Sequence, residues 1–322
     1  MRPKVFLAKR VPSEVEAYIA QYCDYRKWDR EEEIPRQQLL EELSDVDGLL
    51  ISGGSIDQEL LNHAPKLKIV SNVSVGYNNL DTAAMKARGV MGTHTPGVLD
   101  ETVADTVFGL ILGAARRIPE LDAYVKAGQW KKGSDDHIFG IDVHHAKLGI
   151  IGMGRIGEAI ARRAKFGFNM EVMYYNRSRK EDAEQKLGVV YRSLHKLLQE
   201  SDFVVLMTPL TPETTRLIGR EELALMKKTA IFINTSRGQT VDEEALIEAL
   251  EKGQIRGAGL DVFEQEPVDP DNKLLKMANV VTLPHIGSAT HQTRFDMAML
   301  AANNLVKGVQ GEVPPNLVAE LK

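Results

Sequence analysis

"LGIIGMGRIGEAIARRA", residues 148–164, decides the fold. A short apolar run leads into glycines at positions 152, 154 and 157, and a helical pattern follows. Gly152 permits a tight turn, Gly154 lets backbone approach a diphosphate, and Gly157 lets helix and strand pack closely. The helix that opens there aims its first N–H groups and its dipole at the phosphates. A second apolar stretch, "EVMYYN" (171–176), ends about twenty residues after the glycines, the usual length of such a unit. The segment therefore reads as the opening strand–turn–helix of a dinucleotide-binding βαβ unit.

Further strands are expected at 203–208, 230–235, 257–263 and 279–284, all near-continuous apolar runs typical of strands covered on both faces. The first hundred residues form another α/β block. There 4–9, 48–52, 68–74 and 90–95 read as strands, and 13–21, 36–43 and 82–87 as helices. Apolar Val103, Val107, Leu110, Ile111 and Ala114 recur at helical spacing, which predicts a helix over 101–118 that Pro119 ends or kinks. From Ser288 to Val309 the helical pattern returns, and that stretch could pack back on the first block. The expected architecture is α/β with two domains: a nucleotide domain over 100–287 and a discontinuous substrate domain over 1–99 and 288–322.

Composition is that of a soluble globular chain, with 43% hydrophobic and 26% charged residues over 322 positions. A net charge of −5 offers no basic excess for nucleic acid. No run approaches the ~20 apolar residues of a membrane span, so a cytoplasmic protein is expected. Cys23 is the single cysteine, which excludes an internal disulfide and a thiol metal cluster and reads as an apolar filler. No His, Cys or carboxylate cluster has metal-ligand spacing, and adjacent His144 and His145 on an extended chain point to opposite faces. No metal is expected.

At the tip of the second nucleotide-domain strand stands "YYNRSR" (174–179), where a carboxylate usually holds the adenosine ribose. Asn176 removes the repulsion a carboxylate would exert on a 2′-phosphate. Arg177 and Arg179 can neutralise that phosphate, and Ser178 can add a hydroxyl donor. The pattern predicts NADP(H) over NAD(H), with NAD(H) still usable; a solvated charge run that tolerates either cofactor is the alternative.

Three later segments carry reactive side chains at strand ends: "FINTSRGQTVDE" with Arg237, "GLDVFEQEP" with Asp261 and Glu266, and "TLPHIGSAT" with His285. Ligands of open α/β sheets bind beyond the carboxyl ends of the strands, so an Arg, a Glu and a His arrive on one rim. With "SVGYNNLD" (74–81) and "HTPGVLDETVADT" (94–106), these segments resemble the D-2-hydroxyacid dehydrogenases over essentially the whole chain. The stretches at 142–170 and 279–291 look like the bacterial glyoxylate/hydroxypyruvate reductase and 2-ketogluconate reductase branch.

That resemblance implies a Rossmann-type nucleotide domain, a flavodoxin-like substrate domain and an active site in the cleft between them. It implies that Arg237 binds the substrate carboxylate and keto oxygen. His285 would protonate the new alkoxide, and Glu266 would orient His285 and favour its imidazolium. Backbone N–H groups of Val75 and Gly76 would hold the carboxylate, and Asp261 the nicotinamide amide. Thr102, Arg155, Ile156, Thr208, Pro209, Thr235, His285 and Gly287 would complete the nucleotide site. The implied activity is NADPH-dependent reduction of glyoxylate, hydroxypyruvate and 2-ketogluconate to 2-hydroxy acids by a homodimer, whose surface would use 101–118 and 120–140. Trp130 either packs in the core or, as in related glyoxylate reductases, approaches the neighbouring subunit's pocket. Two other readings are an NAD-linked phosphoglycerate-type dehydrogenase, which needs a further cation for a substrate phosphate, and a non-catalytic nucleotide-sensing protein.

Overall fold

The computed structural model describes residues 2–133 and 136–322, so positions 134 and 135 of the expected 120–140 dimer surface lie outside the described residues. The chain divides into two compact units, Met1–Leu99 with Ala289–Lys322, and Asp100–Ser288. No helix among the described residues is long and apolar enough to cross a membrane.

The first unit alternates β1 (Lys4–Leu7), α1 (Ser13–Tyr22), β2 (Asp24–Lys27), α2 (Arg36–Glu42), β3 (Gly48–Ile51), α3 (Gln58–His63), β4 (Ile69–Asn72), α4 (Thr82–Ala87) and β5 (Met91–Thr93). Its five strands are parallel in the order β2-β1-β3-β4-β5, the doubly wound flavodoxin-like arrangement. β3 (GLLI) is buried along its whole length as its apolar side chains require, and β4 (IVSN) is equally buried although it carries the polar Ser71 and Asn72. β2 is not legible by that rule: its sequence DYRK is largely exposed, because it is the sheet's edge strand. The Asp57 side chain accepts the Leu60 N–H and starts α3, and Asp81 does the same for α4 through the Ala84 N–H.

The second unit holds α5 (Asp100–Ala115), α6 (Ile118–Lys126), β6 (Lys147–Ile151), α7 (Arg155–Phe168), β7 (Glu171–Tyr175), α8 (Glu181–Leu187), β8 (Val190–Tyr191), α9 (Leu194–Glu200), β9 (Phe203–Leu206), α10 (Arg220–Leu225), β10 (Ile231–Asn234), α11 (Glu243–Glu251), β11 (Gly257–Leu260) and β12 (Val280–Thr282). All seven strands are parallel in the order β12-β11-β10-β9-β6-β7-β8. The order reverses between β6 and β9, which makes the carboxyl ends of those strands the switch point where Rossmann sheets take their ligand. β9, β10 and β11 are fully buried. Each large apolar side chain there, Phe232 for example, contributes about 1.5–3 kcal/mol by leaving water.

α5 buries Val103, Val107, Leu110 and Ile111 and packs on β10, β11, β12 and α7. The helix breaks earlier than the sequence reading places it. Arg117 turns left-handed (φ 56°), and Pro119 falls in the first turn of α6, where a missing N–H costs nothing.

The last helix, α12 (His291–Val309), belongs to the first unit and packs on β3, β4 and α1. Small residues allow the approach: a Cβ on Gly48 would stand 2.8 Å from both Leu305 and Val309.

Candidate active site

The phosphate cradle follows from backbone geometry. Gly152 has φ +110°, and a Cβ there would lie 2.6 Å from the Met207 carbonyl oxygen. A Cβ on Gly157 would collide with the Gly152 carbonyl, so helix and turn touch backbone to backbone. Over Gly154 a Cβ would meet nothing within 4 Å, which leaves open space where a diphosphate has to lie. No side chain caps α7 at Gly154, so its first N–H groups, including those of Arg155 and Ile156, are available to an anion. The Thr208 Oγ1, just past β9, is buried without a hydrogen-bond partner among the described residues, an orphan that a ligand atom would satisfy. Donor set and space fit a nicotinamide dinucleotide. Thr102 lies in the first turn of α5, Pro209 follows Thr208, and the Thr235 hydroxyl contacts the Met207 sulfur at 2.8 Å.

At the carboxyl ends of β10, β11 and β12 stand the three reactive side chains. His285 Nδ1 and Glu266 Oε2 are 2.6 Å apart, and Glu266 Oε1 accepts the Phe263 N–H at 3.0 Å. Burial alone would push the Glu266 carboxyl up. The hydrogen bond and charge of His285, the Phe263 N–H and the Arg237 charge outweigh it and hold Glu266 below the usual carboxylate range. Arg237 is largely withdrawn from water, and desolvation lowers its pKa against the opposing pull of Glu266. It donates from Nη1 to the Ser236 carbonyl at 2.7 Å.

His285 adopts a left-handed backbone (φ 53°), a strained state for a non-glycine residue. Asp261 over-determines it: its buried carboxylate accepts the N–H groups of Ile286 at 2.7 Å and Gly287 at 2.8 Å. Burial nevertheless raises the Asp261 pKa, since desolvation exceeds what these two bonds and the nearby His285 charge return. The Thr106 hydroxyl donates to the Gly287 carbonyl at 3.4 Å, tying the turn to α5. Both Asp261 oxygens thus grip the turn that carries His285, a task its sequence position gives no sign of.

In the first unit, Val75 and Gly76 follow β4. The Gly76 carbonyl accepts from Asn72 Nδ2 at 3.0 Å, and the Val75 carbonyl is hydrogen-bonded to His94 Nδ1 at 2.9 Å. The carbonyls on this loop are thereby engaged.

The two arginines of "NRSR" differ. Arg179 forms a two-pronged pair with Glu184, both contacts at 2.7 Å. Arg179, helped by the Tyr174 hydroxyl, holds the Glu184 carboxyl down at about 2, and Glu184 raises the Arg179 pKa in turn. Arg177 is exposed and has no hydrogen bond or salt bridge among the described residues. Asn176 donates to the Ser178 carbonyl at 3.1 Å and shapes the turn. Nothing in the charge run after 179 marks Glu184 as a partner; the pairing depends on where α8 lies.

Other contributors escape a reading by motif. Asp100, buried at the start of α5, holds Arg155 Nε at 3.2 Å while its Oδ1 has no partner among the described residues. A Cβ on Gly238, next to Arg237, would coincide with the Phe263 carbonyl, so the segments carrying Arg237 and Glu266 meet backbone to backbone. Gly238→Ala is therefore expected to destabilise by more than the ~1–3 kcal/mol of ordinary overpacking, because backbone cannot rotate away. Chemical denaturation reads this directly; wild-type stability in the variant would show that the two segments separate at no cost. Trp130 does not pack in the core of this chain: it is 67% exposed, and Phe139, Ile118 and Val125 nearby in sequence are all more than half exposed. Among the described residues no three His, Cys or carboxylate groups are placed to hold a metal.

Comparisons with known proteins identify the family. Residues 108–287 match the model of the D-isomer specific 2-hydroxyacid dehydrogenase NAD-binding domain. The chain is 49% identical over 318 residues to glyoxylate/hydroxypyruvate reductase B of Yersinia pestis (strain Pestoides F), covering 99% of this chain and 98% of that one. A crystal structure of a protein from Thermus thermophilus superposes with a TM-score of 0.91 at 41% identity, covering 98% of this chain and all of that one. The NADPH-dependent glyoxylate/hydroxypyruvate reductase of Sinorhizobium meliloti, in complex with NADP and malonate, gives 0.87 at 33% identity, covering all of this chain and 98% of that one. The chain belongs to the D-isomer specific 2-hydroxyacid dehydrogenases and is an NAD(P)-dependent enzyme of that family.

Proposed function

We propose that this enzyme is an NADPH-preferring reductase of small 2-keto acids: glyoxylate to glycolate, hydroxypyruvate to D-glycerate, and 2-ketogluconate to gluconate. The observation that carries the reading is the Glu266–His285 hydrogen bond beside a desolvated Arg237 at the carboxyl ends of adjacent strands. Relatives named for the first two activities support it.

Gly152, Gly154, Gly157, Thr208 and the N-terminus of α7 would hold the cofactor. When bound, the reduced nicotinamide supplies the hydride that reaches the keto carbon. The chain's own groups do the rest. Arg237, with its planar fork, would bind the substrate carboxylate and keto oxygen and draw charge onto that oxygen. N–H groups of Val75 and Gly76 would hold the carboxylate. With Nδ1 bound to Glu266, His285 presents Nε2 as the donor, and its proton passes to the keto oxygen as the C–O double bond becomes single. Glu266 keeps the ring oriented, with Nδ1 turned to its carboxylate and Nε2 left for the substrate.

For the 2′-phosphate, Arg177 is the principal cation, because Arg179 is already committed to Glu184. Arg177→Ala should lower kcat/KM for NADPH about tenfold or more, which is about 1.4 kcal/mol, and leave NADH nearly unchanged. Initial rates with hydroxypyruvate and each cofactor measure this; equal losses with both would reduce Arg177 to a surface charge. We further propose a cytosolic homodimer whose surface includes the exposed apolar side chains of α6 and the segment after it.

A further inference from the structure

In the loop after β4, three successive carbonyls are tied back into the first unit. The Thr95 N–H donates to the Ser74 carbonyl at 2.9 Å, His94 Nδ1 lies 2.9 Å from the Val75 carbonyl, and Asn72 Nδ2 donates to the Gly76 carbonyl at 3.0 Å. A carbonyl can only accept, so Nδ1 is a protonated nitrogen of His94. The N–H groups of Val75, Gly76 and Tyr77, by contrast, have no hydrogen-bond partner among the described residues.

The tied carbonyls decide where those donors face. These peptides are trans, since the one cis bond among the described residues is Glu266–Pro267. A trans peptide sets its N–H opposite its carbonyl. Pinning the Val75 carbonyl to His94 therefore turns the Gly76 N–H away from His94, and pinning the Gly76 carbonyl to Asn72 does the same for the Tyr77 N–H. Without the His94 bond the Val75–Gly76 peptide could flip, with glycine offering little resistance, and put a carbonyl oxygen where a donor stands. Successive backbone N–H groups left open in this way form a concavity for an anion.

His94 is itself held firmly. Its ring meets the Tyr77 ring edge-on, with centroids 5.2 Å apart and planes at 83°. Its backbone N–H donates to the Asn316 carbonyl at 3.2 Å, and its carbonyl accepts from Asn304 Nδ2 at 3.3 Å. Asn304 is fully buried in α12, so the histidine is anchored to the core of its unit rather than to a surface turn. A locked side chain that fixes a peptide bond is how a binding loop is set before its ligand arrives.

We infer that His94 is a positioning residue for the substrate carboxylate, fixing the Val75–Gly76 peptide with its N–H turned to the ligand, an assignment that rests on the reductase reading above. His94→Phe keeps a ring against Tyr77 and removes the donor. It is expected to raise KM for hydroxypyruvate about tenfold or more, about what one hydrogen bond to a charged group contributes. The kcat and the KM for NADPH should change less than about twofold, because the carboxylate is held alike in ground state and transition state. His94→Asn, whose amide carries an N–H close to the place of Nδ1, should recover most of the loss. His94→Leu repeats the test if thermal melting shows the phenyl variant unfolded. An unmoved KM for hydroxypyruvate, a loss spread over kcat and both KM values, or a His94→Asn variant as poor as His94→Phe would overturn the positioning role and leave the reductase standing. Wild-type enzyme inert toward hydroxypyruvate and glyoxylate would remove the reductase reading and this role with it.

Discussion

His285→Ala is expected to lower kcat for hydroxypyruvate by about 10²–10⁴-fold, the usual worth of a positioned general acid. The KM for NADPH should hold, because the phosphate cradle at Gly152–Gly157 is formed by a different turn. Glu266→Gln should fall between wild type and His285→Ala, since a glutamine can still accept a bond from the imidazole but cannot balance its charge. The comparison separates chemistry from folding: His285 is partly exposed and its left-handed turn is held by Asp261 through backbone N–H groups, which the alanine variant retains. Steady-state rates with His285→Ala near wild type would dismiss the histidine as the acid.

Arg237→Lys carries the second large expectation. Lysine keeps the charge but loses the fork, so one of two substrate oxygens goes unbound. A loss of about 10²–10³-fold in kcat/KM for the keto acid is expected, comparable to removing a donor from an oxyanion site. Stability should hold in Arg237→Lys, because Glu266 and the Ser236 carbonyl keep a cation beside them. An enzyme that loses activity and stability together would instead mark Arg237 as a structural cation.

Much of this is legible in the chain because the responsible constraints are local. Gly152 and Gly157 are glycines since a Cβ at either would strike backbone, and that need is written in the spacing itself. β9 and β10 announce themselves through FVVL and IFIN because both faces are covered. Arg237 and His285 can be assigned to one rim because each follows a strand of the same parallel sheet. What stays hidden depends on where separate segments meet. Glu184 lies in an ordinary charge run, yet it pairs with Arg179, which the sequence reading turns toward a phosphate. Asp261, expected to face a ligand, spends both oxygens on the turn after His285. β2 escapes notice since an edge strand reading DYRK has no apolar face to betray it.

The placement of α12 bears on how the molecule is made. Ser71 on β4 donates to the Ala301 carbonyl at 2.7 Å, across 230 residues of chain. At ~5–20 residues per second of synthesis, a ribosome needs roughly ten seconds or more to deliver the second partner after the first. Throughout that interval the nascent N-terminal sheet has one greasy face bare, whereas the inserted unit has all its strands before α12 is made. Vectorial synthesis thus favours the nucleotide-binding unit as the first to mature, and the N-terminal unit closes only when the tail of the message has been read.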